Sequence, residues 1–197
     1  MKIIIITGTP GCGKTSVAKE ISNVTGAQLI SLNELAISEE FSFEYDEERK
    51  THIVDFKVFL PSVLKKISAI AQDNPKYLVI ESHFSDIIPE NFIDFAFILR
   101  CAPDELFKRL KKKKYNSKKI LENIQAEILG NCTYYFIQKH MKIPLFEIDT
   151  TNLSIKSVAK IILNIMVDNQ DGKKYNVGKI DWLEKLFQEN RLGEFFN

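Results

Sequence analysis

The residues richest in chemistry come at the start of the chain. GTPGCGKT, Gly8 to Thr15, follows the apolar run KIIIIT. Its spacing, G-x-x-x-x-G-K-T, is that of a loop that wraps phosphate. Glycines at 8, 11 and 13 let successive backbone N–H groups turn toward an anion, and a helix starting behind the loop adds partial positive charge. Lys14 is expected to reach the outer phosphates of ATP, and the Thr15 hydroxyl to ligate Mg²⁺. Gly11, Cys12, Gly13 and Ser16 complete the expected cradle. A plain glycine turn would need neither the lysine nor the hydroxyl. A dinucleotide fingerprint would need a third glycine at position 16, where Ser16 stands. Cys12 reads as a small spacer, although a helix N-terminus would depress its pKa and make it sensitive to oxidation.

Other candidates lie further along. Glu81 and His83 close the strand-like run YLVIE and its extension SH. Glu81 is placed to accept from Mg²⁺-bound water, and His83 to hold an attacking water or a phosphate. A lone histidine after a buried strand is otherwise a packing residue. The segment KRLKKKKYNSKK is strongly basic, with eight cations between Lys108 and Lys119. A charge run is commonly a solvated helix face. Here its place after the fourth predicted strand suggests a lid closing over donor phosphates.

These residues need a scaffold that brings strand ends together. Ile3 to Ile6 reads as a central buried strand, and SVAKEISNV after the loop has helical spacing. Further strands are expected at 27–31, 77–81, 95–100 and 145–149. Asp55 is placed to cap a helix reaching about Gln72, with Pro61 implying a kink or a later start. Pro103 opens another helix. SKKILENIQAEILGNCTYYFIQKH is a long helical stretch weakened at Gly130, and Ser154 caps a last core helix. The acidic segment FSFEYDEERKTHIV reads as a hairpin or a loop. Strands alternating with helices imply an α/β fold, a five-stranded parallel sheet covered on both faces.

Composition sets the bounds. The 197 residues suit one full core plus a small appended element. Hydrophobic content of 45% and charged content of 27% are ordinary for a globular chain, and a net charge of +1 draws it to neither nucleic acid nor membrane. Cys12, Cys101 and Cys132 are scattered without a C-x-x-C pair, which argues for free thiols in a reducing compartment. The apolar run after Met1 and Lys2 is too short for a signal peptide, and none approaches a membrane span. The expected location is the cytoplasm, or the nucleus in a eukaryote.

Among phosphate-loop proteins, a regulatory GTPase would carry an N-K-x-D motif, which is absent. A shikimate kinase would use adjacent glycines, and the eight here are never adjacent. A small nucleoside monophosphate kinase remains, a phosphate-loop domain over 1–170 with an acceptor-covering segment at 31–54 and a lid at 112–122. Residues 171–197 read as a polar linker and an amphipathic helix, with Ile180, Leu183, Leu186 and Phe187 on one face and Trp182 nearby. That helix would dock on the core or bind a partner.

GTPGCGKT, the tract YDEE, the strand end IESH and RLKKKKYNSKKILENIQAEI together resemble the adenylate kinase isoenzyme 6 family, over about Lys2 to Asp168. The resemblance implies broad nucleoside monophosphate kinase activity with ATP as donor and AMP as the leading acceptor, and a background ATPase. It also implies a role in late maturation of small-subunit ribosomal RNA, through a ribosomal protein of the platform and transient association with pre-ribosomal particles. Two positions depart from the family pattern. Glu81 replaces an aspartate at the strand end, and Lys113 replaces an arginine, which loses the planar two-point grip on phosphate. With only four arginines, at 49, 100, 109 and 191, phosphoryl transfer is expected to be slow. Three functions compete. They are a kinase whose product matters, an assembly factor switched by ATP hydrolysis, and an RNA-binding protein using the lysine run, for which only Tyr115 supplies an interleaved aromatic.

Overall fold

In the computed structural model, residues 1–38, 42–46, 51–167 and 169–196 are described. The core is a sheet of five parallel strands: β1 (Lys2–Gly8), β2 (Gln28–Ser31), β5 (Tyr77–Glu81), β6 (Phe95–Arg100) and β7 (Leu145–Asp149). They lie in the order β2-β5-β1-β6-β7. All five correspond to the runs expected from their apolar residues.

The four isoleucines of β1 show why the sheet is central. Successive side chains of a strand point to opposite faces. Ile4 and Ile6 therefore join one hydrophobic cluster while Ile3 and Ile5 join the other. On the first face pack α1 (Lys14–Thr25), α4 (Pro103–Lys112), α5 (Ser117–Ile128) and α7 (Ile155–Val167). On the second pack α2 (Leu32–Ser38), α3 (Phe56–Gln72) and Phe136 of α6 (Asn131–Gln138). With both faces covered, an uninterrupted apolar strand is what burial demands.

Local signals explain the helix limits. The Asp55 side chain accepts from the Lys57 N–H, and Pro61 lies inside α3 without ending it. The cap and the buried residues Phe59, Val63 and Ile67 on either side of the proline hold the helix through that position. The long stretch expected after Ser117 is two helices, because Gly130 adopts a left-handed conformation between α5 and α6. The acidic segment contains an antiparallel hairpin, β3 (Ser42–Asp46) with β4 (Thr51–Val54). Phe41, Glu47, Glu48, Arg49 and Lys50 of that segment lie outside the described residues.

The C-terminal part lies on the core. Asn176 bridges to Phe146 of β7, and α8 (Trp182–Gln188) buries Trp182 and Leu186. Leu183 and Phe187, which the helical spacing puts on the same face as Leu186, are instead 40% and 64% exposed. In a helix of only two turns, the ring of Trp182 decides which side faces inward. Among the described residues, no helix is long and apolar enough to cross a membrane.

Candidate active site

The carboxyl ends of the parallel strands converge at the loop between β1 and α1. Gly8 (φ 139°) allows the strand to enter it, since a Cβ there would lie 2.3 Å from the Leu99 carbonyl oxygen of β6. Gly13 (φ 100°) caps α1 in a left-handed conformation and faces open space. The ends of the loop are thus fixed by backbone geometry that a side chain would disturb.

A cavity of about 590 Å³ opens above the loop. Of the sequence-derived candidates, Gly11, Gly13, Lys14, Thr15, Ser16, Glu81, His83 and Lys113 all line it. The Lys14 ammonium donates to the Thr9 carbonyl at 3.2 Å. Glu81 is 3% exposed, and its Oε1 accepts from the Thr15 hydroxyl at 3.1 Å and the Ser31 hydroxyl at 2.6 Å. Ser31 and Glu81 are register partners on adjacent strands, which is why a hydroxyl reaches the carboxylate. Hydroxyl and carboxylate oxygens are hard donors of the kind that Mg²⁺ prefers, so the pair fits that ion. Among the described residues, no group of three or more His, Cys, Asp or Glu side chains is arranged to hold a metal ion.

His83 lies at the cavity mouth with its Nδ1 at 3.4 Å from the Asn33 amide nitrogen. Asn33 in turn accepts from the Ser82 hydroxyl at 2.7 Å. Desolvation within the cleft lowers the His83 pKa, the Lys14 and Lys119 ammonium groups add to it, and Asp86 opposes them, for a value of about 4. His83 is an exposed residue at the cavity mouth, and the two ammonium groups add to the preference for its neutral form. His83 is therefore neutral near pH 7. Lys113 sits where α4 ends, and 112–122 comprise the last residue of α4, a short joint and the first half of α5.

Cys12 contributes backbone to the loop but not a reactive thiol. Its side chain is fully buried, and burial, reinforced by Glu127, pushes the thiol pKa well above its ordinary value. The expectation of a depressed pKa fails because the sulfur points into the core rather than along the helix axis toward solvent.

Several residues were not singled out by sequence. A second cavity of about 560 Å³ shares Gly11, Gly13, Ser16 and Lys113 with the first and extends to Arg109, Thr150, Leu153, Ile155 and Val158. Arg109 donates to the Thr150 carbonyl at 2.8 Å and the Thr151 carbonyl at 3.1 Å, tying α4 to the segment after β7. Thr150 follows the carboxyl end of a parallel strand, where such sheets place ligand chemistry. Asn33 and Glu34 line the first cavity just after β2 by the same rule.

Beneath the loop lies a buried ionic group. Arg100, 3% exposed, donates to Glu127 at 2.8 Å and to Glu147 at 2.6 Å. Both carboxylates are as buried as the guanidinium, and neutral donors complete them. Glu147 receives the Thr133 hydroxyl at 2.6 Å and the Gly178 N–H at 2.8 Å. The paired carboxylates raise the Arg100 pKa against the opposing effect of burial.

This sheet and loop define a phosphate-loop α/β protein of the nucleoside monophosphate kinase type. A family described as "AAA domain" matches residues 4–130. A Methanocaldococcus jannaschii protein named "Putative adenylate kinase" is 33% identical over 93% of this chain and 94% of its own. A protein of the same name from Methanosarcina barkeri is 36% identical over 92% of this chain and 98% of its own. The chain belongs to this adenylate-kinase-like family. Solved structures support the fold at lower identity. A deoxyadenosine kinase from M. mycoides superposes with a TM-score of 0.56 at 17% identity, covering 85% of this chain and all of that one. A shikimate kinase from Acinetobacter baumannii gives 0.57 at 12% identity, covering 86% and 95%.

Replacing Arg100 by Met should leave two buried carboxylates without their counter-charge. Removing one partner of a buried pair costs about 3–5 kcal/mol. Urea denaturation of Arg100→Met is expected to show a loss of that size, whereas Arg191→Met, at the exposed pair with Asp104, should change stability far less.

Proposed function

We propose that this protein is a nucleoside monophosphate kinase that moves the terminal phosphoryl group of ATP to AMP or a related monophosphate, with background ATPase activity. One observation carries the reading: two cavities meet along a single phosphate loop and share Gly11, Gly13, Ser16 and Lys113. A donor and an acceptor nucleotide need that arrangement. The family relationship supports the same class of reaction.

The donor base takes the side with the apolar wall of Leu153, Ile155 and Val158. Its phosphates follow the loop, where Lys14 and the N-terminus of α1 balance their charge. The acceptor takes the side of Ser31, Asn33, Glu34 and His83. Thr15 and Glu81 would hold Mg²⁺, which supplies further charge neutralisation to the triphosphate when bound. An acceptor phosphate oxygen forms the new bond to the terminal phosphorus as the bond to the ADP oxygen breaks. Lys14 and Lys113 stabilise the charge that spreads over the transferred group. His83, neutral, orients the attacking oxygen or a water through a hydrogen bond. Residues 31–54 form the acceptor-covering segment and 112–122 the lid in this reading.

By resemblance to the isoenzyme 6 family, we further propose a role in late maturation of small-subunit ribosomal RNA. That role runs through a platform protein and transient association with pre-ribosomal particles. One observation favours a second reading, an assembly ATPase with little kinase activity. No arginine lines the acceptor cavity among the described residues, so no planar two-point grip on a monophosphate is present there.

A coupled assay of ADP formation, with and without AMP, CMP or dAMP, separates the two. Strong acceptor stimulation is expected; hydrolysis indifferent to acceptors but raised by a ribosomal protein would favour the ATPase. Lys14→Ala should abolish both activities without unfolding the protein, and near-normal turnover would overturn the site assignment.

The pair Glu81 and His83 should matter for turnover rather than for binding. Changing both to Ala is expected to leave affinity for a non-hydrolysable ATP analogue within about tenfold, roughly 1.4 kcal/mol. Turnover should fall by tens-fold or more. Calorimetry beside steady-state phosphate release tests both halves, and unchanged turnover would return His83 to a packing role.

A further inference from the structure

The tract NIQAEI, prominent in the sequence resemblance, has no part in the reaction just described. Its one acidic residue, Glu127, is 1% exposed and sits directly under the phosphate loop. Its two oxygens face different ways. Oε2 accepts from the Thr9 hydroxyl at 2.5 Å and lies 3.7 Å from the Cys12 sulfur, both on the loop. Oε1 accepts from Arg100 Nε at 2.8 Å, the Cys101 N–H at 3.0 Å and the Trp182 indole N–H at 3.2 Å.

We propose that Glu127 and Trp182 are positioning residues for the nucleotide site, so that residues 176–196 complete that site rather than merely cover the core. The link is short and continuous. The Trp182 indole holds one side of the carboxylate and the Thr9 hydroxyl the other. The Thr9 carbonyl then accepts from the Lys14 ammonium and from the Cys12 N–H. Trp182, Glu127, Thr9 and Lys14 therefore form one hydrogen-bonded chain from the C-terminal helix to the cation that meets the phosphates.

The carboxylate has no slack in this arrangement. Two oxygens serve five donors, more than the roughly four acceptor sites a carboxylate offers. Loss of one donor lets the carboxylate turn toward the rest, and the loop moves with it. The C-terminal segment is held independently of the indole. Gly178 donates to Glu147, Arg100 to the Ile180 carbonyl at 3.4 Å, and Gln125 to the Phe195 carbonyl at 2.6 Å. Trimming the indole N–H should therefore leave the segment in place while loosening the loop.

This inference rests on the reading that the loop binds a nucleotide, and the test keeps the two apart. Trp182 is the single tryptophan of the chain, so its emission in the unmodified protein reports on this hydrogen bond. ADP is expected to change that emission saturably, with the same Kd that calorimetry gives. Trp182→Phe keeps an aromatic ring and removes the donor. It should weaken ADP binding about three- to tenfold while the melting temperature shifts by only a few degrees. Thr9→Val should do the same, and the double variant should lose less than the product of the two, because both act through one carboxylate. A merely structural tryptophan would lower the melting temperature, leave ADP affinity unchanged in the cold, and show multiplicative effects with Thr9→Val. Constant emission while calorimetry records ADP binding would overturn the inference, even where Trp182→Phe fails to fold. No heat from ADP with the unmodified protein would instead overturn the nucleotide reading, and this inference with it.

Discussion

A single guanidinium, that of Arg100, decides how the layers of this molecule meet. Burying a charge is costly unless it is paired and fully hydrogen-bonded. Arg100 therefore has to find Glu127 on α5, Glu147 on β7 and the Ile180 carbonyl in the C-terminal segment at once. The turn at Gly130 follows from this demand. It lets α5 end with the Glu127 carbonyl on the guanidinium at 2.9 Å, and α6 begin so that Thr133 reaches Glu147. A Cβ at Gly130 would lie 3.6 Å from the guanidinium, in ordinary contact, so its left-handed backbone rather than crowding requires the glycine. The net gain in stability from such a group is small, since desolvation offsets most of the attraction. Its larger effect is on arrangement, because few alternative packings satisfy every donor and acceptor.

The reactive face is the product of a simpler constraint. Parallel strands all end on the same side, so the ends of β1, β2, β5 and β7 supply the loop, Ser31, Glu81 and Thr150 to one region. Ser31 and Thr15 meet Glu81 there because β2 and β1 flank β5. Arg109 and Thr150 close the far side, the latter also donating to the Cys12 carbonyl at 3.1 Å. A rigid sheet below and helix starts above give the site its fixed half. The joint at Lys113, between α4 and α5, gives it a part built from a connection.

Much of this was legible in the residues. The apolar strands, the glycine loop, the Asp55 cap and the weak point at Gly130 are local patterns, and each appears where its chemistry requires. What stayed hidden depended on contacts across the fold. Arg100, an arginine at a strand end, has the same appearance whether it faces phosphate or two buried glutamates. Glu127 reads as one acidic residue on a helix until its neighbours are known. Cys12 was legible as a small spacer, and only packing removes the alternative of a reactive thiol, because the sulfur points inward. For α8, two turns were too few for periodicity to choose between the faces that Leu183 and Trp182 would bury.

The strand order has a consequence for how the chain is made. β1 is made before the other four strands yet lies in the middle of the sheet, with Lys2 opposite Tyr77 and Ile4 opposite Phe95. Its neighbours therefore exist only after much of the polypeptide has left the ribosome, and β7 arrives later still. Non-local pairing of this kind slows folding and prolongs exposure of sticky strands. A nascent chain would carry four consecutive isoleucines without partners throughout that interval. The bonds that involve Gly178, Ile180 and Trp182 form later than those between the strands, so the buried ion group closes only once that segment has been made.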